Sequence, residues 1–197
     1  MTDKATIAFY DREAPSYTLS FAQGPARHLD GFLDRLPDGA HILELGCGGG
    51  RDASRMIERG FCVDMTDGSN GMAIKARERT GQDVRLLRFD ELDGLDAFDA
   101  VWAHASLHHQ PLAGLGDVLA RIYRATRAHG WFFANYKLGD GDARDSLGRL
   151  YNFAPRTHLL ELYRSAGWQW DSVEDYRASG LDKVERDWIA ITARKLS

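Results

Sequence analysis

Short apolar runs alternate with stretches of helical periodicity along most of this chain. Five runs read as buried strands: His41 to Leu45, Phe61 to Thr66, Val84 to Phe89, Phe98 to Ala103 and Gly130 to Tyr136. Between them the apolar positions follow the helix period. Ala53, Met56 and Ile57 share a face, with Gly60 behind them as a stop. Met72, Ala73 and Ala76 do the same after Ser69. Leu115, Val118, Leu119, Ile122 and Tyr123 fall at i, i+3, i+4, i+7 and i+8, the stripe of a half-buried helix. Strand and helix alternating at this spacing predict parallel βαβ units, with helices on both faces of an α/β sheet.

The two ends read differently. Two short helical candidates, Ile7 to Tyr17 and Ala26 to Leu36, precede the turn Pro37-Asp38-Gly39. Near the other end, Pro155 to Ala166 reads as a helix with Leu159, Leu162 and Tyr163 on one side and Gly167 as its stop. Two late strands follow, Trp168 to Tyr176 and Asp187 to Arg194, joined by the polar stretch RASGLDKVER. Such a pair suits an antiparallel hairpin added at one sheet edge.

Composition narrows the class. The chain has 197 residues, 25 Lys+Arg against 29 Asp+Glu, 44% hydrophobic and 27% charged residues, as in an ordinary globular protein. A single domain over 1–197 is expected, with 1–38 as a helical N-terminal segment and 39–197 as the sheet core. A net charge of −4 gives no support to a nucleic-acid wrapper, although a basic face can hide in a balanced total. No run approaches the length of a membrane span, and the first residues lack the apolar core of a signal peptide. Cys47 and Cys62 fall at opposite ends of neighbouring strands, too far apart for a disulfide. A reduced, cytoplasmic protein is the expectation.

The chemistry concentrates in Ile42-Leu43-Glu44-Leu45-Gly46-Cys47-Gly48-Gly49-Gly50-Arg51-Asp52. A strand runs into a glycine-rich turn and out into a helix, which lets a ligand approach backbone at the carboxyl end of a strand. A dinucleotide site calls for G-x-G-x-x-G, but the third glycine would fall at Arg51. The pattern present, Gly46, Gly48 and Gly50, suits a nucleoside without a pyrophosphate and disfavours a nucleotide-dependent oxidoreductase. Asp67 lies 21 residues after Gly46, at the end of the second strand, close to the spacing of a ribose-binding carboxylate. Asp64, within the strand, is its weaker rival.

With these residues the chain resembles the class I S-adenosylmethionine-dependent methyltransferases. The glycine loop resembles the family's first motif, and Asp67, Gly68, Ser69 and Met72 resemble its second. Val84 to Leu92 resembles the third-strand motif, Phe98 to Ala103 the fourth strand, and Ser106-Leu107-His108-His109 the stretch after it. Tyr10, Asp11, Ala14 and Tyr17 resemble the lid of many bacterial members. Arg88 stands near where the family often ends its third strand on an acid, with Asp90 and Glu91 slightly later. The resemblance implies a Rossmann-like doubly wound sheet of about seven strands, order 3-2-1-4-5-7-6, with strand 7 antiparallel. It implies S-adenosyl-L-methionine as cofactor, held by Tyr10, Tyr17, Leu45, Gly46, Cys47, Gly48, Arg51, Asp67, Gly68, Ser69, Met72, Phe89, Asp90 and Ala103, with residues 1–38 as a lid. Gly148-Arg149-Leu150-Tyr151-Asn152 resembles a stretch of the small-molecule, tellurite-resistance-like subset.

An oxygen or nitrogen acceptor must lose a proton, and His108, after the fourth strand, is a candidate base. His104 and His108 share metal-ligand spacing but lack an acidic partner in the same stretch, so no metal is expected. Lys137, Arg144 and Arg149 follow the fifth strand. Two readings stay open for them: Lys137 and Arg149 position a small anionic substrate, or the aspartates of GDGDARD neutralise a solvated loop. Trp168, Trp170 and Trp188 read as core or sheet-face residues. A small-molecule methyltransferase is the leading reading, and a non-catalytic cofactor-binding module is its rival. The oligomeric state is not encoded in any motif here.

Overall fold

Ile42, Leu43 and Leu45 need cover on both faces of their strand, which only the centre of a sheet provides. The computed structural model, which describes residues 3–20 and 24–196, puts them there. Strand β1 (His41–Leu45) lies between β2 (Cys62–Asp67) and β4 (Phe98–Ala103), parallel to both. Strand β3 (Val84–Leu86) pairs with β2 at one edge, and β5 (Thr126–Lys137) extends the sheet beyond β4. A separate hairpin of β6 (Ala143–Arg144) and β7 (Leu150–Tyr151) follows. Then β8 (Gln169–Ser179) and β9 (Glu185–Arg194) close the main sheet, with β9 antiparallel between β5 and β8.

The order β3-β2-β1-β4-β5-β9-β8 is the expected 3-2-1-4-5-7-6 once the small hairpin is set aside. That hairpin is two residues a side, too short for a periodic signal. Strand order reverses between β1 and β4, and a cleft opens at such a switch point beyond the carboxyl ends of the strands.

Among the described residues six helices flank the sheet: α1 (Lys4–Ser20), α2 (Leu29–Leu33), α3 (Arg51–Glu58), α4 (Asn70–Thr80), α5 (Leu112–Ala125) and α6 (Arg156–Ser165). Alternate strand residues face opposite layers. Leu43, Val101 and Phe132 pack with the apolar stripe of α5 and with Leu159 and Tyr163 of α6. Ile42, Trp102 and Phe133 pack with α2 and with Met56 of α3 on the other face.

Boundaries shift where local bonds intervene. The helix expected over Ala26 to Leu36 keeps only Leu29–Leu33, because the chain closes into tighter three-residue turns on either side, Leu29 N–H to the Ala26 carbonyl and Arg35 and Leu36 N–H to the Phe32 and Leu33 carbonyls. The first helix is longer than expected, starting after Asp3, whose carboxylate accepts the N–H and hydroxyl of Thr6 as a cap. The third strand stops at Leu86 rather than Phe89, giving way to a 3-10 turn over Phe89–Glu91. Both cysteines are free. No helix among the described residues is long and apolar enough to cross a membrane.

Asp52 ties the N-terminal segment to the core. Besides the Ala26 N–H at 2.9 Å it accepts Trp102 Nε1–H at 3.0 Å and Arg51 Nε–H at 2.9 Å. Burial opposes its ionisation, but His104 and Arg51 beside it and the donated hydrogen bonds hold the carboxyl below its ordinary value. Asp52→Ala leaves the Trp102 indole and Ala26 amide without their acceptor, and is expected to lower stability by about 2–4 kcal/mol in urea unfolding. A loss under about 0.5 kcal/mol would mean water replaces the carboxylate there.

Candidate functional site

The glycine loop lies between β1 and α3. The Gly46 and Cys47 amides both donate to the Thr66 carbonyl at 2.9 Å, which pins the turn to β2. Gly46 has φ 78°, and a Cβ there would stand 2.6 Å from Ser106 Cβ, so no other residue fits. Gly48, at φ 55°, is different: a Cβ would meet no protein atom, and the residue faces the cleft. Asp67 ends β2 beside it. One carboxylate oxygen accepts Gly48 N–H at 2.9 Å and the other accepts Ser69 N–H at 2.8 Å. Burial pushes the Asp67 carboxyl up to about 6 against those two bonds.

Two lobes open from this point. The smaller encloses about 90 Å³ and is walled by Asp67, Gly68, Met72, Leu87, Phe89 and Ser106. The larger encloses about 270 Å³ and reaches past Glu44 and His108 to Lys137, Tyr151, Tyr176 and Trp188. Tyr10, Tyr17, Gly46, Gly48 and Ala105 border both. Ala105 has φ 51°, an uncommon conformation for alanine, and is held by its N–H donating to Asn135 Oδ1 at 2.6 Å.

Helix α1 lies across the junction. Asp11 accepts the Ser69 hydroxyl at 2.7 Å and the Gly71 amide at 3.0 Å, and a Cβ on Gly71 would collide with the Asp11 backbone. Tyr10 links α1 to the other lobe. Its hydroxyl accepts Arg149 Nη1–H at 3.0 Å and donates to His109 Nε2 at 2.8 Å. Burial pushes His109 down to about 3, so it is neutral, with Nδ1–H donating to the Leu150 carbonyl at 2.6 Å. Arg149 pairs in turn with the fully buried Asp145 side chain at 2.6 Å.

Of the three cations Lys137, Arg144 and Arg149, the first of which ends β5, the arginines are thus engaged. Arg144 pairs with Asp3 at 2.7 Å, and Arg149 with Asp145 and Tyr10. Lys137 is not: its Nζ is buried without a hydrogen-bond partner among the described residues, and burial pulls it down to about 8. His108 lines the same lobe, and burial holds it well below its ordinary value with Nδ1 unpaired. Most of the cofactor candidates gather around the cleft, including Cys47, Arg51, Ser69 and Met72. Leu45 and Ala103 are core residues, and Asp90 pairs with Arg88 outside both lobes. Among the described residues no group of three or more His, Cys, Asp or Glu is placed to hold a metal.

Several wall residues had no sequence signal. Trp168 is core and Trp170 lies on the exposed sheet face, but Trp188, read as core, also walls the larger lobe. Glu44 sits inside an apolar run and gives no sign that its Oε2 ends buried and unpaired in the cleft. Tyr151 and Tyr176 belong to strands that approach the site only through tertiary pairing.

Residues 42–130 match a family model described as a methyltransferase domain. A search of curated proteins gave no match. Among solved structures, the chain is similar to 1,6-didemethyltoxoflavin-N1-methyltransferase of Burkholderia thailandensis, determined with bound 1,6-didemethyltoxoflavin and S-adenosylhomocysteine. The identity is 25% over 98% of this chain and 88% of that one, with a TM-score of 0.77. It is also similar to an S-adenosylmethionine-dependent methyltransferase from Mesorhizobium loti (20% identity, 86% and 98% covered, TM-score 0.68). The cyclase SpnF shares the fold at 19% identity, 96% and 94% covered, with a TM-score of 0.77. The seven-stranded sheet and its helices are those of the Rossmann-like methyltransferase fold.

Removing the Tyr10 hydroxyl breaks the chain from Asp145 to the Leu150 carbonyl in the middle. Tyr10→Phe is expected to cost about 1–3 kcal/mol in chemical denaturation, because Arg149 and His109 each lose a buried partner. A change of only a few tenths would remove this chain from the account of how α1 is held.

Proposed function

We propose that this protein transfers a methyl group from S-adenosylmethionine to a small-molecule acceptor. The observation that carries this reading is the Asp67 carboxylate, anchored by the Gly48 and Ser69 amides beside a glycine turn whose open side is the cleft. The residues fit the cofactor. Asp67 is placed to accept ribose hydroxyls, and Met72, Leu87 and Phe89 offer an apolar slot for the base. The unpaired Oε2 of Glu44, in the larger lobe, suits the amino group of the methionyl part. When bound, the cofactor supplies a methyl group activated on a sulfonium sulfur.

The chain's own residues then do three things. Helix α1 covers the junction of the lobes through Tyr10, Asp11 and Tyr17, acts as a lid and keeps water from the reacting centre. His108, neutral and unpaired at Nδ1, is suited to accept a hydrogen bond from the acceptor and orient it. Its strongly lowered basicity makes it a poorer proton reservoir than Lys137, which lies nearer neutral. Lys137 gives the lobe a buried cation without a hydrogen-bond partner among the described residues, which supports an acceptor with an acidic group. Arg149, engaged with Asp145 and Tyr10, is better suited to hold the lid than to touch substrate. The resemblance to the tellurite-resistance-like subset rests on the stretch from Gly148 to Asn152, which includes this lid contact.

Asp67→Ala is expected to weaken S-adenosylhomocysteine binding roughly 10- to 100-fold in calorimetric titration, the loss of two charge-assisted hydrogen bonds. In the unaltered protein that affinity should also fall as pH drops through about 6, where the ligand-free Asp67 gains its proton and can no longer accept both hydroxyls. Unchanged affinity in the variant would sink the ribose assignment. Release of S-adenosylhomocysteine from S-adenosylmethionine with small acceptors separates an enzyme from a binding module.

A further inference from the structure

We infer that the larger lobe takes a flat aromatic or heteroaromatic acceptor carrying an acidic ring hydroxyl, bound as its oxyanion against Lys137 Nζ. This rests on the methyl-acceptor reading above and names the class of molecule.

The placement starts with strand register. Lys137 of β5 lies opposite Trp188 of β9, and Trp188 lies opposite Tyr176 of β8. Residues directly opposed in antiparallel pairs project from the same face, so amine, indole and phenol form a row at the carboxyl end of β5. The rings of Trp188 and Tyr176 are stacked, 6.0 Å apart at 22°. The hairpin brings Tyr151 from the other side, its ring centre 3.6 Å from Lys137 Nζ. His108 lies 4.8 Å from the Tyr151 ring and 5.4 Å from Trp188. Flat surfaces therefore surround one cation.

That cation is incompletely satisfied. Lys137 is 1% exposed and its Nζ makes no hydrogen bond among the described residues, although an ammonium carries three donors. The Tyr151 face offsets part of the burial but accepts no conventional hydrogen bond. The charged groups facing Lys137 are Asp182 and Asp145, which favour its charge, and Arg186 and Arg149, which oppose it. They are paired with each other, Asp182 with Arg186 at 2.7 Å and Asp145 with Arg149 at 2.6 Å. The lysine charge is left over. An anionic oxygen supplies the missing acceptor, and aromatic walls select a flat ring to carry it. A single point charge without a guanidinium fork suits one oxyanion better than a carboxylate or phosphate, which bidentate arginine matches. The ring's proton is left to solvent on binding. Lys137, pulled by burial to about 8, still carries its charge at neutral pH and loses it as pH rises through that value in the empty lobe.

The probe is 4-nitrophenol, whose anion is coloured and whose acid is not. It is titrated into the protein with and without saturating S-adenosylhomocysteine, below the phenol's own pKa, and read by visible absorbance. Saturable binding with the anion's band is expected, and nitrobenzene, the same ring without the hydroxyl, should bind roughly 10-fold or more weakly. Lys137→Met should weaken 4-nitrophenol by a similar factor and abolish the band, and Lys137→Arg should restore part of both. Absence of saturable binding, binding in the colourless form, or equal affinity for nitrobenzene overturns the proposal without any variant. S-adenosylhomocysteine affinity, measured calorimetrically on the same samples, reads the other lobe. Its absence overturns the cofactor reading, whereas its presence with no bound anion overturns only this one.

Discussion

A half-buried carboxylate at the end of β2, one strand away from the reversal point of the sheet, organises this molecule. Asp67 must find donors to remain in an apolar setting, and it finds them in two loops at once: the Gly48 amide after β1 and the Ser69 amide after its own strand. Those bonds set the distance between the two crossover turns. The glycine loop cannot move away from β2 without stranding the acid, and the Thr66 carbonyl holds it from the other side. Ser69 carries the linkage onward, capping α4 through its hydroxyl oxygen and donating the hydroxyl proton to Asp11 of α1. Loop, strand, helix and N-terminal segment thus share one run of hydrogen bonds.

The N-terminal helix is held again on the far side of the cleft. Asp3 meets Arg144, the Thr6 hydroxyl accepts the Leu150 amide, and Tyr10 sits between Arg149 and His109. The exposed pair contributes little by itself. The buried Asp145–Arg149 pair matters through direction: it orients a guanidinium toward the Tyr10 hydroxyl, which leaves the hydroxyl proton for His109. Pro15 removes one amide from the helix interior, so the Asp11 carbonyl loses its donor four residues on, and Gly71 lets that stretch of α1 approach α4 closely. The helix is therefore fastened at both lobes.

What the sequence disclosed divides along the same line. The alternation of strand and helix, the glycine loop and Asp67 are written in contiguous stretches, where period and spacing carry the signal, and the strand order came with the resemblance. The wall around Lys137 is not. Tyr151 belongs to a hairpin with two residues a side, and Tyr176 sits on an edge strand whose polar residues hide any alternation. Trp188 looks like any core indole until β9 is paired with β5. Arg144 looks like a substrate cation in the linear chain because its partner Asp3 lies about 140 residues earlier, whereas Arg149 pairs with Asp145 of the GDGDARD stretch and also reaches the distant Tyr10. Lys137 stands out only after those partners are assigned, as the cation without one.

The antiparallel strand explains why the larger lobe is built this way. A parallel neighbour of β5 would present its own carboxyl end at the cleft. Strand β9 runs the other way, so its first residues, with Trp188 among them, lie beside the last residues of β5, and β8 arrives there with its final ones. The β8–β9 turn, with Gly180 and Leu181, consequently reaches the cleft and forms part of its wall. The glycine loop and Asp67 sit on the other side of β4, bonded to none of these residues. Changes in the length or side chains of this turn can reshape the larger lobe while the glycine loop and Asp67 keep their geometry. The topology thus separates the wall of the larger lobe from the glycine loop and Asp67, and Lys137, at the end of β5, stands where that wall begins.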